Sequence, residues 1–127
     1  MCTQLKLKEK RGFKMIVNID ISQKENVLIL KMPDEIVGDV VQEIFAIFEK
    51  IIKEKNNNII LDLSETLMLD SAGIGIIIKL EKEISLQNRK MVVANASKSV
   101  EKIMYMCRLN TILKMTSSIE KAMEIIE

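Results

Sequence analysis

The sequence predicts an α/β domain with a small mixed, largely parallel sheet and elements in the order β-β-α-β-α-β-α-β-α. Two observations carry this prediction. Short aliphatic runs with the composition of buried strands alternate with longer segments in which apolar residues recur every three to four positions. Such alternation is typical of crossovers between parallel strands, whereas the two successive strands at the start predict an antiparallel hairpin.

The length and composition favour one folded domain. The chain has 127 residues, which is enough for one substantial core and too few for two ordinary ones. Hydrophobic residues make up 48% of it, which argues against general disorder. We therefore predict a basic N-terminal arm over residues 1–12 and a single domain over 13–127.

The N-terminal half predicts two strands and a long helix. Residues 13–21 and 26–32 are interpreted as strands joined by a hairpin turn at 22–25, and Pro33 closes the second strand. From Ile36 to Ile52 the apolar residues follow an i, i+3, i+4 stripe of about five turns. Asp34 and Glu35 precede this stripe, where acidic side chains suit the positive end of a helix dipole.

The C-terminal half predicts three more strands, each followed by a helix. The last helix opens with a capping box, and the helix before it starts at a serine cap. The strands are predicted at 59–63, 90–95 and 112–116, and the helices at 71–86, 97–107 with Ser97 as cap, and from Ser117 and Glu120 onward.

The composition argues against several function classes. No histidine occurs, which removes histidine-containing zinc sites and Ser-His-Asp chemistry. Cys2 and Cys107 have the spacing neither of a metal site nor of a disulfide framework, so we predict no metal and no cofactor. With three Phe, one Tyr and no Trp, the chain has little material for stacking bases, and we expect no direct nucleic-acid binding.

The apolar runs and the N-terminus bear on localisation. No run approaches the roughly 18 to 20 apolar residues that a spanning helix needs, so no membrane span is expected. The basic N-terminus lacks a following apolar signal-peptide region, which predicts a cytoplasmic protein. A basic arm can contact anionic lipid or nucleic acid, but a solvated terminus is the simpler interpretation.

The segment "LDSAGIG", residues 69–75, is the candidate site. It lies between a buried strand and a helix, at a carboxyl end of the sheet, where functional sites of open α/β folds gather. By residue type Asp70 and Ser71 are both good N-cap residues, and capping is the simpler role for Ser71. The same position at the positive end of a helix also suits a phosphate.

From residue 58 onward the chain resembles the STAS domain, and within it the bacterial anti-sigma-factor antagonists of the sporulation and stress-response type. The pattern begins with Asp62 and Leu63 at the end of an apolar strand. It continues with the segment Leu69, Asp70, Ser71, Ala72, Gly73, Ile74 and Gly75. The resemblance extends over residues 13–126 and implies a mixed sheet with helices packed against it.

The resemblance also implies a partner switch. In that family the serine after the aspartate, here Ser71, is phosphorylated by a partner that is both an anti-sigma factor and a serine kinase. The unmodified form binds this partner and so releases a sigma factor, and a PP2C-type phosphatase restores it. The resemblance implies that Asp70, Ala72, Gly73, Ile74 and Gly75 support the phosphorylated serine or contact the partner. Many members also have a Gly-acid-apolar-Asp turn after the second strand, for which Asp34 and Glu35 are approximate substitutes here.

Other interpretations remain open from the sequence. The main alternative is a STAS module that is not phosphorylated and acts as a structural subunit of a transporter-associated or stressosome-like complex. A receiver domain would need an acidic pair after its first strand, where this chain has a hairpin. An enzyme is not expected, because Ser71 lacks a histidine base and no S-x-x-K pattern starts there. The sequence indicates no oligomeric state.

Overall fold

The computed structural model describes residues 17–54 and 56–126. The basic arm and residues 13–16 of the first predicted strand lie outside these described residues. The described elements are β1 (Asp20–Lys24), β2 (Val27–Lys31), β3 (Glu35–Ile36), α1 (Val41–Glu54), β4 (Asn58–Asp62), β5 (Met68–Leu69), α2 (Ser71–Leu86), β6 (Met91–Ala94), α3 (Lys98–Met106), a 3-10 helix (Leu109–Thr111), β7 (Lys114–Thr116) and α4 (Ile119–Ile126).

The strands form two sheets. The main sheet has five strands in the order β1-β2-β4-β6-β7, with β1 antiparallel to β2 and every other neighbouring pair parallel. A second, parallel sheet consists of β3 and β5 alone. The predicted mixed, largely parallel sheet is therefore confirmed, and the β3–β5 pair is an addition that the sequence did not predict.

Both faces of the main sheet are covered. In β4, Ile59 and Leu61 belong to the large core under α1, α2 and α3, whereas Ile60 points to the opposite face. There α4 packs through Ala122 and Met123. Since successive residues of a strand face opposite sides, a strand covered on both sides needs apolar residues in succession, as Ile59, Ile60 and Leu61 are in β4.

The first hairpin is tighter than predicted. Residues 22–24 belong to β1, and the turn consists of Glu25 and Asn26, with Lys24 paired to Val27. Glu25 adopts a left-handed backbone with φ 55, which suits a two-residue turn between antiparallel strands. The predicted turn at 22–25 was therefore wrong.

The start of α1 also differs from the prediction. Ile36 is fully buried as part of β3, and the chain then turns before the helix begins at Val41. In that turn the Val40 backbone N–H donates to the Val37 carbonyl at 2.9 Å. Asp34 and Glu35 consequently do not lie at the helix entrance. The apolar residues at helical spacing were misleading because a strand and a turn bury them instead.

Two C-terminal details need correction. The residue that caps α4 is Ser118, whose Oγ accepts a hydrogen bond from the Lys121 N–H at 3.1 Å, and not Ser117. The last strand begins at Lys114 and not at residue 112, because the N–H groups of Ile112 and Leu113 donate to the Leu109 carbonyl of the preceding 3-10 helix. Arg108 stands between α3 and that helix with φ 59, a backbone conformation that glycine adopts more readily.

Candidate functional site

Asp70 caps helix α2. Its backbone is extended, and its Oδ1 accepts a hydrogen bond from the Gly73 N–H at 2.8 Å. Ser71 is the first residue of the helix and is exposed, and its hydroxyl makes no hydrogen bond to another described residue. The interpretation of Ser71 as the cap was therefore wrong, and its side chain is left available.

The second oxygen of Asp70 reaches a distant turn. Oδ2 accepts a hydrogen bond from the Gly38 N–H at 3.0 Å. The hydrogen bonds from Gly73 and then Gly38 hold the pKa of the Asp70 carboxyl below its ordinary value, because they stabilise the ionised form. Asp70 thus joins the start of α2 to the turn before α1 while carrying a negative charge.

Gly73 is needed for close packing of these two segments. A Cβ at this position would collide with the backbone carbonyl oxygen of Ile36 and lie 2.9 Å from Leu69 Cδ1. Around Gly75, by contrast, the space for a Cβ is open. Ala72 and Ile74 are half-buried, and Ile74 packs against the large core. Of the two glycines, only Gly73 is therefore explained by packing.

The β3–β5 pair supports the loop that leads to Ser71. Glu35 pairs with Met68 and Ile36 with Leu69. The Asp34 carbonyl accepts hydrogen bonds from the N–H groups of Leu67 at 2.7 Å and Met68 at 3.1 Å. Asp34 and Glu35 are thus brought to the site, but their backbone makes these contacts while both side chains are exposed.

Two buried polar side chains order the same loop. Asp62, at the end of β4, accepts hydrogen bonds at Oδ1 from the Ser64 N–H at 2.9 Å and from Asn95 Nδ2 at 3.2 Å. The buried Thr66 hydroxyl donates to the Pro33 carbonyl at 2.8 Å. Since buried polar groups are costly without partners, these bonds favour one loop conformation.

The surface around Ser71 is both apolar and acidic. Leu67 is 73% exposed and Met68 53% exposed, immediately before the strand end that leads to Ser71. We call Leu67, Met68, Asp70 and Ser71, together with Glu35 and Gly38, the Ser71 surface. Asp34, Asp39 and Glu65 are exposed in the neighbouring loops. Such a surface offers contact area and charge.

Sequence reasoning missed Gly38, Thr66, Leu67 and Met68 as parts of this site. A Gly-Asp pair at residues 38–39, between two apolar segments, was the one local signal for the turn. No local signal indicates that a hydroxyl at residue 66 bonds to the carbonyl at residue 33.

Within 17–54 and 56–126, no group of three or more acidic, cysteine or histidine side chains is arranged to hold a metal ion. No described helix is long and apolar enough to cross a membrane.

Comparisons with known proteins agree with this architecture. Residues 18–122 match the STAS domain. A Thermotoga maritima protein named as a candidate anti-sigma factor antagonist is 28% identical over 78 residues, which are 61% of this chain and 69% of that protein. A crystal structure of a candidate anti-sigma factor antagonist from the same bacterium has a TM-score of 0.76 at 25% identity and covers 85% of this chain and 93% of its own.

A more distant structure shares the fold. The Bacillus cell fate determinant SpoIIAA in its phosphorylated form has a TM-score of 0.64 at 16% identity, over 86% of this chain and 99% of that one. Because the match to the family extends from β1 into α4, the chain belongs to the STAS domain family.

Proposed function

We propose that this protein is an anti-sigma-factor antagonist that binds an anti-sigma factor through the Ser71 surface and is switched off by phosphorylation of Ser71. The observation that carries the proposal is the exposed Ser71 hydroxyl at the start of α2, which makes no hydrogen bond to another described residue. Asp70 already caps the helix, so Ser71 can be modified without loss of a cap. The names of the relatives support the same class of partner.

Phosphorylation would change the charge of this surface locally. A phosphoserine carries about −1.5 to −2 charges at neutral pH. Beside the ionised Asp70 it would make the surface strongly negative, and an acidic or closely packed partner surface would be repelled. The Gly73 N–H already donates to Asp70, so the phosphate adds charge without taking over the cap. We therefore expect loss of binding and no refolding.

Leu67 and Met68 would supply the apolar part of the interface. Both are more than half exposed beside Ser71, and the β3–β5 pairing holds their backbone. Exposed apolar side chains on an ordered loop are typical of a protein contact. The partner would be an anti-sigma factor that is also an ATP-dependent serine kinase, and a PP2C-type phosphatase would reverse the modification.

The direct test is phosphorylation by the anti-sigma factor kinase of the same organism. Incubation with ATP should add the mass of one phosphate to the intact protein, and Ser71→Ala should abolish the addition. Ser64→Ala is the matched control, because Ser64 is also exposed in the segment between β4 and α2. This variant should still gain the mass of one phosphate.

A binding measurement completes the test. Ser71→Asp should weaken binding to the anti-sigma factor while Ser71→Ala preserves it. Equal affinity of the two variants would contradict the switch. If the anti-sigma factor kinase neither binds the protein nor adds a phosphate, the alternative is a structural STAS module within a transporter-associated or stressosome-like complex.

A further inference from the structure

A concave site lies at the opposite end of the main sheet from Ser71. It is a cavity of about 370 Å³ at the amino ends of β6 and β7, bordered by the last turns of α2 and by α4. We call it the amino-end cavity. Its volume is within the range of small-molecule sites, which are roughly 300 to 1,000 Å³.

Basic side chains dominate the charge of this cavity. Arg89, Lys90 and Lys114 line it, with Glu81 as the acidic residue among the lining side chains. The Glu81 Oε1 accepts a hydrogen bond from the Ser85 hydroxyl at 2.8 Å, and Glu81 makes no ion pair with another described residue. Among its described lining residues the cavity therefore has an excess of positive charge.

Arg89 is a buried cation without a described counter-ion. It is 6% exposed, and its Nε donates to the Asn57 carbonyl at 2.7 Å while Nη1 donates to Gln87 Oε1 at 3.0 Å. Within 17–54 and 56–126, its Nη2 has no hydrogen-bond partner, and no carboxylate pairs with the guanidinium. A buried cation without an anion is costly. Because Nη2 is itself buried, an anion in the adjoining cavity would be stabilised by the charge of the guanidinium.

The walls of the cavity are partly apolar. Ile112 is 51% exposed and Ile125 39% exposed, and both line the cavity. A ligand that satisfied only the charges would leave these side chains in water. A ligand with an acidic group and a short aliphatic stem would cover them as well.

We infer that the amino-end cavity binds a small amphiphilic anion, a carboxylate or phosphate on a short aliphatic stem. The acidic group would lie near Lys90, Lys114 and Arg89, and the stem against Ile112 and Ile125. Since Ser71 follows the carboxyl end of β4, this site is separate from the Ser71 surface and does not depend on the partner switch.

Amide chemical shifts of the isotopically labelled protein test this inference. Hexyl phosphate and hexanoate are the probes, and inorganic phosphate and hexanol supply the acidic group and the stem alone. At least one probe should shift the amides of residues 89–92 and 112–114 and saturate at millimolar concentration. Comparison of the two probes distinguishes a phosphate ligand from a carboxylate ligand. The Ser71→Asp variant should bind the probes with the affinity of the wild type, because the two sites are separate.

Variants distinguish a built site from general attraction of anions. Lys114→Glu should weaken the binding probe about tenfold, because a charge-assisted contact of roughly 1.5 kcal/mol corresponds to that factor. Lys102→Glu makes the same charge change on the exposed side of α3 and should have no effect. Ile112→Ser changes an exposed side chain and should weaken the probe without weakening inorganic phosphate.

Several results would overturn the inference. Inorganic phosphate that binds as tightly as hexyl phosphate would make the cavity a plain anion site. Equal weakening by Lys114→Glu and Lys102→Glu would leave only long-range attraction. Shifts that never saturate, or that lie elsewhere in the protein, would show that the cavity is not a binding site.

Discussion

Asp70 shows how one side chain can serve two segments that are distant in sequence. Its two carboxylate oxygens accept hydrogen bonds from N–H groups of Gly73 and Gly38, so the start of α2 and the turn before α1 share one charge. Ser71 stands beside this charge and makes no hydrogen bond of its own through its hydroxyl to another described residue. Asp70 therefore supports the structure, while the adjacent Ser71 is available for the proposed modification.

Loss of the Asp70 carboxylate should destabilise the fold. Asp70→Ala removes both acceptors and leaves the Gly73 and Gly38 N–H groups without their protein partner. We expect a lower midpoint of urea unfolding, measured by circular dichroism. Asp39→Ala is the control, because Asp39 is an exposed acid in the same turn. An equal loss in both variants would contradict the proposed role of Asp70.

The Asp70 contribution should depend on pH in one direction. Its pKa in the folded protein lies below the ordinary value of 3.8, so between those two values the unfolded chain binds more protons than the folded one. The stabilisation is therefore complete above the ordinary pKa and is lost as the pH falls through the folded one. The difference in urea midpoint between wild type and Asp70→Asn should be constant near neutral pH and shrink in this acidic window. A difference that grew on acidification would contradict this account.

At the scale of elements, the two-residue strands β3 and β5 determine the geometry of the site. They pair the segment after β2 with the segment before α2 and place the Ile36 carbonyl against the first turn of that helix. Without this pairing the loop that carries the exposed Leu67 and Met68 would be held only by the Asp62 and Thr66 hydrogen bonds among those described above. The site is thus a property of two loops held together, and not of the helix end alone.

Gly73 and Gly75 provide a matched pair of substitutions for this contact. Gly73→Ala places a methyl group on the Ile36 carbonyl and should cost roughly 1 to 3 kcal/mol of unfolding free energy. Gly75→Ala meets open space and should stabilise α2 by up to about 1 kcal/mol through helix propensity. Urea unfolding measures both values. Equal effects of the two substitutions would show that the close approach of β3 does not restrict residue 73.

Partner binding by Gly75→Ala gives separate information. Because Gly75 is exposed and has no packing explanation, weakened binding without any loss of stability would place the partner against this turn of α2. Unchanged binding would leave Gly75 outside the interface.

For the whole molecule, sequence patterns predicted strands β2, β4, β6 and β7 of the main sheet and the four described helices, since each has a periodic or apolar signal. The first strand was predicted at 13–21, whereas β1 spans Asp20–Lys24, because Ser22, Gln23 and Lys24 carry no apolar signal. The predicted helix over 71–86 coincides with α2, because Asp70 provides a start signal and the apolar stripe continues to its end. The start of α1 was misplaced because Ile36 and Val37 fit helical spacing as well as they fit a strand and a turn.

The candidate site was predicted only in part, for a related reason. Residue type does not distinguish Asp70 from Ser71 as the cap of α2. The hydrogen bond from the Gly38 N–H that also holds the Asp70 carboxylate joins residues 32 positions apart, so no local pattern indicates it. The β3–β5 pairing and the Thr66 bond to Pro33 are similarly non-local. Local sequence therefore located the site, while its supporting contacts depended on tertiary structure.

The β3–β5 pairing and the Asp70 bridge also bear on the kinetics of association. Both order the backbone of the Ser71 surface in the free protein. Binding of the proposed partner should therefore cost little additional backbone entropy. Association rates should then be limited by orientation and charge, and differences in affinity among variants of this surface should appear mainly as differences in complex lifetime.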